Sequence, residues 1–496
     1  MEKQKMAYDI DEMPPIGKSI ILAFQHLFAM FGATILVPIL VNQAAGKEVL
    51  TIPVALVTSG IGTLIYILCT KKKSPVYLGS SFAFIIPVAA AYTKAGIGGA
   101  MTGIMAVGLI YIIIAFVIKA VGKSWLEKIL PPVVIGPMIM IIGLGLAPSA
   151  ISQIGLTSGT DLDIKALIVA LVSFIVTAVV MTKAKGFFKI IPFLIGIVTG
   201  YIVAVCLGMI DFKPVLDAKW FSIPHFKIPF KDYKLNFTAL ITIAPIALVT
   251  LCEHIGDHTS LGNIIGKDLI KDPGLDKTLL GDGIATFVAG FLGGPANTTY
   301  GENTSVVGMT KVASVKVIGL AAIFAIIISF LGKFTALVST IPNAVLGGVS
   351  LLLYGFIAVN GLKVLIKNQV NFEDSKNVIV ASSMLVLGLG GAAIAITKGD
   401  FSLTISGMSL ASIIGILLNV FLPKDKEQPV ATLITTDTRT PKTDMNKLKE
   451  DIKEELTIEL KEDILQAIKD EMNKPVKKEV KKDTSKKKKK ETKWKK

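Results

Sequence analysis

One polar stretch, residues 293–310 (GGPANTTYGENTSVVGMT), lies among long apolar runs and carries an acidic residue, Glu302. Polar, non-helical backbone at membrane depth is tolerated only inside protein or beside a water-filled cavity. An ionisable side chain in such a place marks a candidate functional site. We therefore interpret Glu302 as a site residue, while the alternative of a loop outside the membrane stays open at this point.

A second set of ionisable residues comprises Glu253, His254, Asp257 and His258. On a helix, Glu253 and Asp257 are i,i+4 neighbours on one face, and the two histidines form a second pair about 100° round. Three interpretations compete. The set is a zinc site of a membrane metallohydrolase that uses His254, Asp257 and His258, or a helix end in the headgroup region, or a substrate or proton site that also uses Glu302.

The composition places these residues in a polytopic membrane protein. The chain has 496 residues, of which 52% are hydrophobic, and its mean hydropathy is +0.65. Several runs approach the ~20 apolar residues that cross a bilayer. The three cysteines, Cys69, Cys206 and Cys252, are scattered in apolar surroundings, so neither a disulfide framework nor a cysteine metal site is predicted.

The hydropathy pattern predicts fourteen transmembrane segments. They cover residues 19–41, 51–70, 79–92, 98–120, 130–147, 164–182, 190–210, 237–256, 278–292, 296–312, 315–332, 341–359, 376–398 and 403–422.

Two of these segments are abnormal, and their positions match. Segment 79–92 opens with Gly-Ser-Ser and contains Pro87, and segment 296–312 belongs to the polar stretch around Glu302. They are the third and the tenth, which is the third of each set of seven. Short, Gly/Pro-interrupted segments at corresponding places in two halves indicate a transporter's binding site, and sets of seven have inverted topologies. The predicted fold is therefore an all-α polytopic protein of two inverted repeats, which supports alternating access.

The lysine distribution predicts the orientation. If the N-terminus is cytoplasmic, the inside loops carry 17 lysines against ten in the outside loops. This bias satisfies the positive-inside rule with both termini in the cytoplasm, residues 1–18 being the N-terminal part.

The tail, residues 424–496, has a different composition. Apolar residues recur at helical spacing over 445–472, which predicts an amphipathic helix. The last 23 residues hold 13 lysines against three acids, which predicts a basic, disordered end. Beside membrane spans, such a charge favours anionic lipid headgroups over nucleic acid as the partner.

Five motifs carry a specific resemblance. They are QHLFAMFGAT (25–34), GSSFAF (79–84), EHIG (253–256), NTTYGEN (297–303) and GGVSLLLYG (347–355). In these motifs the chain closely resembles the nucleobase–ascorbate transporter (nucleobase:cation symporter-2) family, in particular its uracil permeases. The resemblance covers about residues 15–423 and excludes the tail.

The resemblance implies an architecture for residues 19–423. It implies a core domain (about 19–120 and 237–332), a gate domain (about 130–210 and 341–422), short strands in segments three and ten, and a homodimer in the cell membrane. It also implies that substrate binds between the two broken segments.

The resemblance further implies a set of site residues. Glu253 and Glu302 would hold uracil, and the backbone near Phe82 and Gly301 would supply N–H donors. The remaining predicted substrate-site residues are Tyr354, Ala33, Ser81 and Tyr300, with Phe82 also shaping the pocket through its side chain. Glu253 and Asp257 would couple transport to protons.

The chemistry of uracil agrees with these roles. Uracil alternates carbonyl acceptors and N–H donors around its ring, and a neutral carboxylic acid offers one donor and one acceptor that match such an edge. Proton and substrate would then favour each other's binding. The proton gradient would drive transport, and no cofactor is expected. A purine (xanthine or urate) permease of the same fold is the closest alternative.

Two residues depart from the family pattern. Asp257 stands where uracil permeases often have histidine, and Ser305 stands where the signature after the segment-ten acid usually has glycine. A second acid one turn from Glu253 still permits proton coupling but alters its pH range.

Overall fold

The computed structural model describes residues 6–157, 159, 162–398 and 401–423, and the structural statements below concern that part of the chain. The chain divides into two units, Met1–Asp425 and Lys426–Lys496. The predicted amphipathic helix 445–472 and the basic end lie outside the described residues.

Helices make up most of the described chain. They are α1 Ile16–Ala45, α2 Ile52–Cys69, α3 Ile85–Val121, α4 Ser124–Ile129, α5 Pro132–Gly145, α6 Ala147–Gln153, α7 Ile164–Lys183, α8 Pro192–Cys206, α9 Lys213–Asp217, α10 Leu240–Ile243, α11 Ile246–Ile265, α12 Leu275–Phe291, α13 Gly301–Thr310, α14 Val315–Ser329, α15 Gly332–Ser339, α16 Asn343–Lys367, α17 Ser375–Leu389 and α18 Gly407–Phe421. The strands are β1 Leu78–Ser80, β2 Asn297–Thr299, β3 Ala393–Lys398 and β4 Phe401–Ser406, and short helical turns lie at Phe82–Phe84, Gly186–Ile190 and Ile270–Gly274.

Several helices have membrane-spanning length. Within the described residues, six are long and apolar enough to cross a bilayer by length and composition: Ile16–Ala45, Ile52–Cys69, Phe82–Val121, Pro132–Gln153, Ile164–Lys183 and Asn343–Lys367. The third of these, Phe82–Val121, covers the predicted segment 98–120 and most of segment 79–92. The two predicted segments are separated by a bend at Ala95 and Gly96, whose backbone angles are not helical. The count of fourteen spans stays a prediction.

The two broken segments are confirmed, and each contains a short strand. In segment three, β1 leads through the turn Phe82–Phe84 into α3, and in segment ten, β2 leads into α13. Strands β1 and β2 pair with each other in antiparallel orientation. The Gly, Ser, Thr and Asn residues that made these segments look abnormal are therefore the residues of a two-stranded sheet.

Helices α1, α2, α3, α12 and α14 pack against one another, and so do α5, α7, α8 and α16. The first group comes from the two parts of the chain predicted to form the core, and the second from those predicted to form the gate. The division into two domains that move relative to each other stays a prediction.

Helix α11 extends further than the sequence indicated. It continues to Ile265 and ends at Gly266, whose φ of 71° is left-handed. Leu261 and Ile265 are buried, so packing stabilises the last two turns. Asp257 therefore lies well inside the helix, and the interpretation of a helix end at this point is wrong.

The prediction was also wrong at the C-terminal end of segment 376–398 and at the N-terminal end of segment 403–422, where it placed membrane-spanning helix. Helix α17 ends at Leu389, and β3 and β4 form an antiparallel hairpin before α18 begins. Gly390 and Gly391, the second with a φ of 72°, end the helix. The β-branched residues that follow favour strands over helix.

The residues before α1 form a strap, defined here as residues 7–12, which lies against the turn between α13 and α14. The N–H of Ala313 donates to the Tyr8 carbonyl (2.9 Å), and that of Val315 donates to the Ile10 carbonyl (3.0 Å). Ile10 is buried, and the Asp9 carboxylate accepts from Lys267 Nζ at 2.7 and 2.8 Å. The strap thereby joins the ends of α11 and α13.

Replacing Asp9 by asparagine should cost little stability, and only above acidic pH. Lys267 lowers the pKa of Asp9 below the ordinary value of 3.8, so the ion pair's contribution is complete above that value and is lost as the pH falls through the lower pKa of the folded protein. Both side chains are about half exposed (42% and 51%), so we expect a loss below ~1 kcal/mol at neutral pH. Thermal unfolding at pH 7 and at acidic pH, with the exposed Asp11→Asn as control, measures this, and an equal loss at both pH values would contradict it.

Candidate functional site

The site is built around the paired strands β1 and β2. Leu78 lies opposite Thr299, Gly79 opposite Thr298, and Ser80 opposite Asn297. The pairing continues at both ends, because Ser81 N–H donates to the Ala296 carbonyl (2.9 Å) and Tyr300 N–H donates to the Tyr77 carbonyl (3.1 Å). All six strand residues are buried. Their backbone groups thus satisfy each other, as membrane depth requires.

Tyr300 supports this strand pair from one side. Its hydroxyl donates to the Ser80 carbonyl (2.9 Å) and accepts from Thr34 Oγ1 (3.1 Å). The ring lies against Gly79, where a Cβ atom would come within 2.4 Å of the ring carbons. Tyr300 was predicted as a substrate contact; the structure uses its hydroxyl within the protein, and direct contact with substrate stays a prediction.

Two acids of α11 face strand β2. Thr298 Oγ1 donates to Glu253 Oε2 (3.3 Å), and Thr299 Oγ1 donates to Asp257 Oδ2 (2.5 Å). Glu253 and Asp257 are half-buried, whereas the two threonines are buried. The predicted i,i+4 face of two carboxyl groups is therefore directed at one of the two broken segments.

The histidines of α11 lie on a different face. Their rings stack with centroids 4.1 Å apart. His254 Nδ1 lies 2.8 Å from Asp282 Oδ2 of α12, and His258 Nε2 contacts the hydroxyl of Tyr66 on α2. All four side chains are buried. This network links α11 to α2 and α12 through side-chain contacts.

The geometry separates the three residues of the metallohydrolase alternative. Asp257 bonds to β2, while His254 and His258 bond to Asp282 and Tyr66. In the part of the chain that the structure describes, no three His, Cys, Asp or Glu side chains are grouped so as to hold a metal ion. The hydrolase interpretation therefore has no zinc site among these residues.

Glu302 lies in the first turn of α13 and lines a cavity. The other lining residues include Ala33 of α1, Phe193 of α8, and Val349 and Leu353 of α16. A Cβ atom at Gly301 would meet no atom within 4 Å, so this side of the α13 backbone is open. The first N–H groups of a helix lack intrahelical acceptors. An acid thus lies among N–H groups that have no acceptor within the helix backbone, and the N–H of Glu302 bonds its own carboxyl group.

The remaining predicted residues lie around Phe82. Its ring meets that of Tyr354 edge to face, with centroids 6.1 Å apart. Ser81 is buried, its N–H is used in the strand pairing, and its hydroxyl has no hydrogen-bond partner among the described residues. Phe82 and Tyr354 thus join segment three to α16.

The structure also identifies residues that the sequence reasoning missed. Asn303 Nδ2 donates to the His26 carbonyl (3.0 Å), which fixes α13 to α1. Asp282 is an acid inside an apolar segment, a signal that would have identified it. Ser305, which departs from the family signature, donates its hydroxyl to the Gly301 carbonyl (3.0 Å) and so caps a carbonyl of the same helix.

The sequence matches a known family over most of its length. Residues 17–397 match the family model Xan_ur_permease, described as "Permease family". The chain is 47% identical to the uracil permease of Bacillus subtilis (strain 168) over 438 residues, covering 87% of this chain and 99% of that protein. It is 40% identical to the uracil permease of Escherichia coli (strain K12) over 420 residues, covering 84% and 94%.

Solved structures share the fold at low sequence identity. The transmembrane domain of the cyanobacterium bicarbonate transporter BicA superimposes with a TM-score of 0.55 at 15% identity, covering 83% of this chain and 99% of that one. This likeness confirms the predicted fold class, a mostly helical polytopic membrane protein with inverted repeats, while the exact number of spans stays a prediction.

Proposed function

The chain belongs to the Permease family matched by Xan_ur_permease, and from that premise we propose that it imports uracil across the cell membrane by proton-coupled symport. Like its relatives, which are named permeases, it is a multi-pass membrane permease and not an enzyme. The choice of uracil is supported by the names of relatives that are 40–47% identical over most of the chain.

One observation carries the proposal in the structure: acids from two helices flank the same short strand. Glu253 is joined to β2 through Thr298, and Glu302 follows the end of β2 by three residues. A planar ligand at this strand would meet carboxyl groups from α11 and α13 together with the open start of α13. Uracil fits because its ring edge alternates donors and acceptors.

Proton coupling follows from the protonation that this recognition needs. A neutral Glu253 offers uracil one O–H donor and one carbonyl acceptor, while a carboxylate offers acceptors alone and repels a uracil carbonyl. Partial burial disfavours an unpaired charge. Proton binding therefore increases uracil affinity, and linkage requires uracil to increase proton affinity equally. Asp257, one turn away, is the second acid of the coupled pair.

Several parts of the proposal rest on sequence pattern and family resemblance. The lysine bias supports cytoplasmic termini. The family pattern supports a homodimer that works by alternating access between the core and gate segments. The lysines of 474–496 support contact with anionic lipid headgroups.

Uptake of labelled uracil into proteoliposomes tests this function. With one proton per uracil, an inward gradient of about one pH unit should support accumulation of up to about tenfold, because one pH unit is worth ~1.36 kcal/mol. Collapsing the gradient with a protonophore should abolish accumulation but not exchange. Uptake that ignores the gradient would contradict symport, and xanthine that outcompetes uracil would assign the protein to purines.

A further inference from the structure

Consecutive threonines of β2 each bond one of the two acids of α11. Thr298 Oγ1 lies 3.3 Å from Glu253 Oε2, and Thr299 Oγ1 lies 2.5 Å from Asp257 Oδ2. Both threonines are almost fully buried, with exposures of 3% and 2%. The hydroxyls therefore reach the carboxyl groups from the interior of the fold, where bulk water does not compete for them.

A donor at one carboxyl oxygen determines where the acid carries its own proton. A neutral carboxylic acid has one O–H oxygen and one carbonyl oxygen. The oxygen that accepts a hydrogen bond from threonine is favoured as the carbonyl, so the proton resides on the other oxygen. The same donor also restricts the carboxyl rotamer, as outer partners do for metal-binding histidines.

We propose that Thr298 and Thr299 are positioning residues for transport: their hydroxyls orient Glu253 and Asp257 and direct each exchangeable proton to the oxygen that does not face β2. This inference rests on the proposed proton-coupled function. Strand β2 then has two roles. Its backbone pairs with β1, and the side chains of Thr298 and Thr299 orient the acids of α11.

The groups around Asp257 that respond to pH come from several elements. Glu253 lies on the same helix, Glu302 on α13 and Asp282 on α12. On α3, Tyr111 bonds Thr250 rather than Asp257 (2.6 Å). The residues of α5, α18 and the turn Phe82–Phe84, which also pack against α11, include no ionisable side chain. The turn Ile270–Gly274, at the far end of α11, carries Lys271 and Asp272, and α11 itself carries His254 and His258, which contact Asp282 and Tyr66. The Thr299 hydroxyl is thus the neutral group that most directly affects Asp257.

The test compares Thr299→Val with Thr299→Ser. Valine keeps the shape and removes the donor, whereas serine keeps the donor and removes a methyl group. A hydroxyl donor stabilises a carboxylate more than a neutral acid. In Thr299→Val we therefore expect the pH of half-maximal uptake to rise and uptake efficiency to fall about tenfold, the effect of one lost hydrogen bond. Thr299→Ser should restore both.

Three results would decide the matter. A Thr299→Val protein with the wild-type pH profile would overturn the inference, and so would a serine variant as impaired as the valine variant, because packing would then explain the effect. Wild-type protein that transports no uracil would instead contradict the proposed function. If Thr299→Val does not fold, the same comparison is made at Thr298, where the longer bond predicts a smaller shift of the same sign.

Discussion

Replacing Glu253 by glutamine should give a protein that binds uracil but no longer concentrates it. The amide offers one donor side and one acceptor side, so it reproduces the pattern of the neutral acid. Its oxygen can still accept from Thr298, so the local geometry is retained. An amide does not release a proton at physiological pH, so the cycle loses the step that links uracil to the gradient.

The expected magnitudes distinguish this outcome from simple damage. Uracil affinity should change by less than about fivefold, because the amide keeps one hydrogen-bond donor and one acceptor for uracil and loses only the exchangeable proton. The steady-state ratio of internal to external uracil should fall to about one, whatever the gradient. Binding to purified protein and uptake into proteoliposomes measure the two quantities separately.

A matched control replaces an acid away from the site. Glu373 is exposed between α16 and α17, and Glu373→Gln should transport as the wild type does. If Glu253→Gln still accumulates uracil against its gradient, coupling passes through Asp257 alone, and the role assigned to Glu253 is wrong.

Replacing Gly79 by alanine should disrupt binding and stability together. The new methyl group would lie 2.4 Å from the carbons of the Tyr300 ring, well inside contact distance. The Tyr300 hydroxyl is hydrogen-bonded to Ser80 and Thr34, so displacing the ring would also disturb these two bonds. Overpacking of this kind costs ~1–3 kcal/mol.

The contact between the new methyl group and the Tyr300 ring would strain the segment that carries Glu302. Displacing Tyr300 shifts the start of α13, because Tyr300 is the residue before that helix. We expect uracil affinity to fall by about tenfold or more, since ~1.4 kcal/mol corresponds to tenfold. Thermal unfolding and uracil binding of the purified protein measure both effects.

Gly319→Ala provides the control for this substitution. Gly319 lies in α14, and a Cβ atom there would make ordinary contacts, the nearest at 3.7 Å. Alanine favours helix over glycine by up to ~1 kcal/mol, so this variant should be as stable as the wild type or more so. A Gly79→Ala protein that binds uracil like the control would show that the strand pair tolerates displacement.

Much of the site was predictable because its signals are local. Glycine, proline and polar residues interrupt segments 79–92 and 296–312, and composition alone reveals such breaks. The i,i+4 spacing of Glu253 and Asp257 puts both acids on one face wherever the helix lies. The bilayer strengthens these signals, because a polar or charged residue in an apolar run needs a specific partner.

Other features required the folded chain. Periodicity gives the angle between side chains on one helix but not the rotation of that helix among its neighbours. It therefore could not tell that the histidines of α11 contact Asp282 and Tyr66. The hairpin of β3 and β4 was missed because its first apolar residues, among them Ile394 and Ile396, continue the apolar run of segment 376–398 without a break.

Composition and helical spacing alone predict a membrane protein with two broken segments, Glu302 in the second of them, and Glu253 and Asp257 on one face of another segment. The pairing of the two broken segments, Leu78 with Thr299, is visible only in the folded chain. So are the hydrogen bonds of Thr298 and Thr299 to the acids of α11. The reason is physical. Composition and helical spacing act over a few residues, whereas contacts between distant residues depend on how every intervening helix packs.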